Sequence, residues 1–540
     1  MAGYWETISS QRVKRRRAIQ VAAVSGTGLA AAALVGCGGD SGSSGSSSSS
    51  GDATGELAEK QVVRQVATQD LIPLDPATLF RIQTEEIAYQ IYDALVTYDA
   101  TGKVIKDLAV SWEQPDPTTF IFKLANGVKF HKGYGDMTSA DVLYSFNRIL
   151  DPAVASTYKN QFQKVDSFSA PDAQTVTIKL KGPDVNFLHQ VANYHQGQIV
   201  SKKAIEEKGK DYGFSPIGTG PYQWESYTPT QEVVLVKNPD YFQGPATIDR
   251  IHFRFIPDAE TAAIAFQNNE LEMLGAVTNT ATFDRLKADP RVALNISDSG
   301  GNVSVGLFNG RLPKLQDVRV RKAYTHAIDR EAVMKVTSPI SGRAWDNIIP
   351  GWMDIYNKDV PKYPYDVNTA KQLLSAAGLK ENELQLKYMV TEVGEDHQLY
   401  QSYLAKAGIK LDFEIVDSPT YNTRRGKGEF EISQRSLPAV NPDDLFFGYL
   451  HPDFYPPTGY NAAYYNNATV NGLLEKARAE VDFERRKSMY FEVQKLAMAD
   501  APYMPRSNNT AMEVAFKWIS GVATNPLTNM LYYGMKVLKS

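Results

Sequence analysis

The chain has 540 residues, 43% hydrophobic and 22% charged, with a formal net charge of −4 and one cysteine. That balance belongs to a folded globular chain and excludes both a disordered polyelectrolyte and a chain made mostly of membrane spans. A single hydrophobic core rarely grows to this length, so two or three lobes are expected, with a cleft between them.

Residues 1–36 differ from everything after them. Lys14-Arg15-Arg16-Arg17 precede a weakly apolar run over 19–35, the order of an export signal peptide. The run is shorter than the roughly 20 apolar residues of a spanning helix, and Gln20, Ser25, Gly26, Thr27 and Gly28 interrupt it. Arg16-Arg17 resembles a twin-arginine signal, from which Arg15 and Gln20 depart, and a general secretory leader is the alternative. Leu34-Val35-Gly36-Cys37 resembles the bacterial lipobox, which makes Cys37 the expected lipid-attachment residue on the outer face of the cytoplasmic membrane. A buried thiol at the end of a leader is the alternative. As the only cysteine, Cys37 excludes disulfides within the chain and a cysteine-rich metal site. Residues 37–55 are the anchor cysteine and a Gly/Ser tether that cannot bury apolar area. Residues 1–36 carry five basic side chains and one acidic, so their removal takes the net charge from −4 to −8 and disfavours a nucleic-acid partner.

Beyond the tether, two periods alternate. Ile87, Ile91 and Leu95 recur every four residues and predict a helix. Period-two alternation predicts strands at 119–124, 176–180, 233–237 and 248–256, the last with Ile251, Phe253 and Phe255 on one face. Val142, Leu143, Phe146, Ile149 and Leu150 form a helical stripe whose start is marked by Thr138 and Asp141, a capping-box pair. Residues 384–416 read strand, helix, strand, a βαβ unit with parallel strands and a right-handed crossover. Asp482 caps a long helix over 482–499, with Glu484 in its first turn. The fold class is therefore mixed α/β.

Motifs for chemistry are missing from the sequence. The seven histidines, at 131, 189, 195, 252, 326, 397 and 451, show no metal-site spacing, and there is no GxSxG elbow, P-loop or GxGxxG. No metal, no cofactor and no catalytic residue are expected, and His131 reads as a structural or surface histidine. Gly218-Thr219-Gly220-Pro221-Tyr222 reads as a turn entering a strand rather than a phosphate cradle.

A series of short phrases resembles, in order, the landmarks of the family 5 extracellular solute-binding proteins of ABC importers, which include dipeptide and oligopeptide binders. They are Leu74-Asp-Pro76, Ile91-Tyr-Asp-Ala-Leu-Val96, Asp107-Leu-Ala-Val-Ser-Trp112, Gly127-Val-Lys-Phe-His131, Ser139-Ala-Asp-Val142, Gly218 to Tyr222 and Lys237-Asn-Pro-Asp-Tyr241. Later come Asp317-Val-Arg319, Ala327-Ile-Asp-Arg330, Tyr365-Asp366 and Asp500-Ala-Pro502. The resemblance implies a two-lobed periplasmic-binding-protein fold of type II, in its large form with an extra subdomain, closing as a hinged clamp around a central cleft. It implies lobe I at 56–310 plus 508–540, its subdomain near 93–198, lobe II at 311–507, and hinge strands near 305–309 and 506–510. The implied activity is capture of a peptide or peptide-like solute, by a monomer without catalytic function, and delivery to ABC permease subunits. A tethered receptor or chaperone of the same fold and an exported hydrolase are the alternatives.

Peptide-binding members place an aspartate in lobe II for the peptide ammonium, and here Pro438 stands at that position within Gln434-Arg-Ser-Leu-Pro-Ala-Val-Asn-Pro-Asp-Asp444. This departure opens the ligand to a sugar, a metal chelate or a modified amino acid. Arg435 suits an anionic ligand group, or else pairs with Asp443 or Asp444, either of which could replace the missing ammonium anchor. Ser436 lies beside Arg435. The resemblance implies that Phe80 and Arg81 border the pocket on the lobe I side, with a simply solvated Arg81 as the alternative. Tyr460, with Tyr455, Tyr464 and Tyr465, offers rings for stacking or for core packing.

Overall fold

The computed structural model describes residues 55–79, 82–156, 158–297, 303–437, 441–456 and 459–540. Cys37, Phe80, Arg81 and Pro438 lie outside the described residues, as do the side chains of Asp443 and Asp444. Two large sheets organise the chain. The first has seven strands in the order Val292–Ser297, Ala511–Phe516, Met273–Gly275, Val62–Ala67, Arg250–Phe255, Glu232–Lys237 and Tyr222–Thr228. The second has six, in the order Gly342–Ala344, Tyr503–Asn509, Val303–Phe308, Ile432–Leu437, Gln385–Val390 and Lys410–Ile415. A smaller antiparallel sheet, Ala109–Asp116, Thr119–Leu124, Thr175–Leu180 and Val165–Asp172, packs under the helix Ser139–Leu150 and shares the first sheet's core through Phe120, Phe122, Val142 and Phe146.

Local chemistry sets these elements. Ile251 and Phe253 point into the core while His252 and Arg254 between them do not, as period two requires. The Thr138 N–H donates to Asp141 Oδ2 at 3.1 Å, closing the capping box. Asp482 Oδ1 accepts the Arg485 N–H at 2.9 Å and starts the helix Phe483–Asp500. Gln385–Val390 and Lys410–Ile415 pair in parallel on either side of the helix Glu395–Lys406.

The chain changes sheets between Ser297 and Val303, and again between Asn509 and Ala511. The first change immediately precedes the strand Val303–Phe308. Val303–Phe308 is buried along its whole length between two strands of the second sheet, and Val303, Val305 and Leu307 join that sheet's core. A strand so enclosed is interior to the second sheet.

Candidate functional site

The register of the second sheet places its central strands level at the end where the backbone leaves it. Ser436 lies opposite Ser304, and Ser304 opposite Ser507; Arg435 pairs with Val305. Arg435 and Ser436 therefore sit beside both chain changes. Neighbouring residues of a strand face opposite ways, and Gln434 and Arg435 do so. Gln434 Oε1 accepts from the Tyr388 hydroxyl at 3.0 Å and from Arg506, which also donates to Asp396 at 2.6 Å and to the Tyr400 hydroxyl at 2.7 Å. Burial opposes the Arg506 charge, but Tyr400, Tyr388 and Asp396 outweigh it and raise the guanidinium pKa.

On the other face the Arg435 guanidinium stacks over the Tyr460 ring at 3.8 Å, with the Tyr449 ring at 5.8 Å. Arg435 is partly buried, Ser436 is exposed, and Tyr460 keeps 44% of its surface accessible. Arg425, on the helix Ser418–Lys427, donates to the Gln434 carbonyl at 3.2 Å. Burial first, and then the charge of Arg435, lowers the Arg425 pKa. The other tyrosines of the loop serve packing: the Tyr465 hydroxyl donates to Asp500 at 2.7 Å, the Tyr455 hydroxyl to the Tyr464 carbonyl at 3.3 Å, and Arg311 covers the Tyr464 ring. Asp443 and Asp444 fall on the helix Pro442–Leu450. Sequence reasoning missed Arg425 and Tyr449, which carry no motif and reach Arg435 only through the fold.

On the first body, the segment before Phe80 is pinned by Ser156, whose hydroxyl donates to the Ala77 carbonyl at 2.6 Å, and by Tyr158, which donates to the Leu79 carbonyl. Behind the helix Ile82–Ile91 that follows, buried Glu85 meets His195 Nδ1 at 2.9 Å, and Tyr158 stacks on the imidazole. Glu86 accepts from Gln65 at 2.9 Å and from Tyr532 at 3.1 Å, while burial pushes its carboxyl up to about 7. Glu513, just past the second chain change, is raised by burial and by Glu86.

Several of the earlier phrases that resembled family landmarks converge elsewhere, inside the core of the first body. Asp93 accepts from Thr219 and Tyr241, Asn238 Nδ2 donates to the Gly220 carbonyl at 3.0 Å, and the Gly220 N–H donates to the Ile91 carbonyl at 2.8 Å. His131 is buried, donating from Nε2 to the Gly220 carbonyl at 2.9 Å, and burial lowers its pKa to about 4, so it is neutral and structural. These phrases hold the scaffold and touch neither Arg435 nor Tyr460. A surface concavity of about 580 Å³ ringed by Arg64, Glu232 and His252 lies at the strands Glu232–Lys237 and Arg250–Phe255, and neither Arg435 nor Tyr460 lines it. Among the described residues no group of three or more His, Cys, Asp or Glu is placed to hold a metal ion, and no helix is long and apolar enough to cross a membrane.

The two bodies also touch away from their connections. The Val185 N–H donates to the Arg478 carbonyl at 3.0 Å, and Asn186 Nδ2 donates to the Tyr490 hydroxyl at 2.9 Å. Gly102 approaches Trp352 so closely that a Cβ there would lie 2.6 Å from the indole ring.

The family described as bacterial extracellular solute-binding proteins, family 5 Middle, matches residues 103–488. The dipeptide-binding protein of Escherichia coli K12 is 28% identical over 475 residues, covering 81% of this chain and 87% of its own. Among solved structures, the periplasmic binding protein DppA of Helicobacter pylori in complex with the peptide STSA superposes with a TM-score of 0.78 at 25% identity, over 88% of this chain and 98% of its own. The binding protein MoaA of A. tumefaciens R10 in complex with mannopinic acid gives 0.76 at 25% identity, over 89% of this chain and all of its own.

Proposed function

Because the chain belongs to the bacterial extracellular solute-binding proteins, family 5, we propose that it captures a peptide or peptide-like solute between its two sheets and delivers it to the permease subunits of an ABC importer. The observation that carries this reading is the double chain crossing beside Arg435 and Ser436, with direct contacts from Val185 and Asn186 to the opposite body. Two bodies joined by two short connections close by hinge motion, and a solute that touches both stabilises the closed state. In this reading one lobe comprises residues 56–297 and 511–540, with its subdomain near 93–198, and the other comprises 303–509. Phe80, Arg81, Arg435, Ser436, Asp443, Asp444 and Tyr460 border the solute, and the body performs no chemistry on it. Residues 1–36 are removed on export, and Cys37 carries lipid that holds the monomer on the outer face of the cytoplasmic membrane. The tether then keeps the clamp at high effective concentration beside its permease.

A non-peptide solute is the second reading, favoured by Pro438 standing where peptide binders place an aspartate. Native mass spectrometry of the body purified from its own cells separates the two. Short peptides released on denaturation are expected. A bound sugar acid or chelate with no peptide species contradicts the first reading.

A further inference from the structure

We propose that Trp352 is a latch between the two bodies: its ring, carried by the second, seats on the turn 99–103 and on Pro526 of the first and controls how readily they part. The inference rests on the reading that the bodies open and close, and not on which solute they hold. Its ground is that both sides of the contact are braced. The turn joins the strands Val96–Tyr98 and Val104–Lys106, whose Val96 and Tyr98 belong to the first body's core. Asp99 Oδ1 accepts the Thr101 N–H at 2.8 Å and the Lys103 N–H at 3.0 Å, and the Asp99 carbonyl accepts the Gly102 N–H at 3.0 Å. Beside the turn, Asn525 Oδ1 accepts the Asn529 N–H at 3.0 Å and fixes the loop that carries Pro526. On the second body, Asn347 Nδ2 donates to Gln494 Oε1 at 2.9 Å and ties the segment 345–357 to the helix Phe483–Asp500. Trp345 stacks on Tyr356 at 5.2 Å and donates to the Ile349 carbonyl at 2.9 Å, while the Met353 N–H closes a turn onto the Pro350 carbonyl at 3.2 Å. Trp352, inside that turn, packs on the second body's core. Gly102 gives the ring its seat: a Cβ there would lie 2.6 Å from Trp352 Cζ3 and 3.0 Å from Pro526 Cγ. A loose loop would follow its partner as the bodies part. Two braced ones cannot, so the ring leaves its seat in one step.

The test uses the full chain with Cys37→Ser and nitroxide labels at Asp284→Cys on the first body and Gln398→Cys on the second, both exposed positions. Electron double resonance reads the distribution of distances between the labels. Trp352→Ala and Gly102→Ala are each expected to raise the ratio of long to short distances by about fivefold or more. Adding Gly102→Ala to Trp352→Ala produces no further change, because the Cβ then has room. If Trp352→Ala does not melt cooperatively, Trp352→Leu decides, with a shift in the same direction. An unchanged distribution in the Trp352 variants overturns the latch. So does a Gly102→Ala shift that is equally large without the ring, since it then comes from strain in the turn. If Asn186→Ala lengthens the distances while Trp352→Ala does not, the latch falls and the opening of the bodies stands. A single narrow distance in every variant, with and without a pool of di- to pentapeptides, removes the hinge motion as well.

Discussion

Asp93 Oδ2 accepts the Thr219 hydroxyl proton at 2.8 Å, across 126 residues of sequence, inside the core of the first body. Tyr241 approaches Oδ1 at 3.3 Å, and Asp107 lies close enough to add like charge. Burial pushes the Asp93 carboxyl up to about 7, against the opposing pull of Thr219 and Tyr241. Folded protein thus holds protons here that the unfolded chain releases above the usual aspartate range. The stabilisation is present below that range and is lost as pH rises through about 7. Asp93→Asn keeps an acceptor for Thr219 and removes the charge. The melting temperature of Asp93→Asn relative to wild type is expected to rise between pH 4 and pH 8; a constant difference across that range contradicts the assignment.

Two landmark glycines are required for different reasons. A Cβ at Gly218 would lie 2.1 Å from the Ile91 carbonyl oxygen, whereas Gly127, at φ +70°, has nothing within 4 Å. Gly218→Ala must shift backbone and costs about 3 kcal/mol or more. Gly127→Ala meets only left-handed strain of about 1 kcal/mol. Urea denaturation of both variants measures the gap, and equal losses would contradict the close-approach argument.

Asn186 and Tyr490 join the two bodies. Removing either side chain's polar group breaks this buried hydrogen bond, at a cost of about 1–3 kcal/mol to the contact between the bodies. Asn186→Ala and Tyr490→Phe are expected to enlarge the ligand-free radius of gyration in small-angle scattering and to weaken solute binding. The double variant should show little further effect, because both changes break one contact. Unchanged radius and affinity would show that this contact does not bias closure.

Lipid attachment at Cys37 predicts a mature chain beginning at that residue with a diacylglycerol-sized mass increment. Cys37→Ala should appear in the soluble extracytoplasmic fraction. Membrane retention of that variant would point to another anchor.

Much of the scaffold was legible in the sequence because its signals are local. The Thr138–Asp141 box, the Asp482 cap and the βαβ unit over 384–416 each rest on residues a few positions apart. The family resemblance was legible in part through phrases that pack around Asp93 and His131, and these report scaffold rather than ligand contacts. The interior position of Val303–Phe308 was not legible, since an all-buried strand reads the same at a hinge as in a sheet centre. Arg435 could be singled out from its position, but its surroundings could not. Tyr449, Tyr460 and Arg425 reach it through sheet register and loop path.

The central claim is that the body binds a small solute of the peptide class, and a thermal-shift screen of the tetherless chain tests it most directly, because a ligand bound only by the folded state raises its melting temperature by mass action. Di- to pentapeptides are expected to raise the melting temperature in a concentration-dependent way. If all of them fail while a sugar or metal-chelate pool raises it, the peptide assignment is contradicted, and if no pool raises it, solute capture itself is.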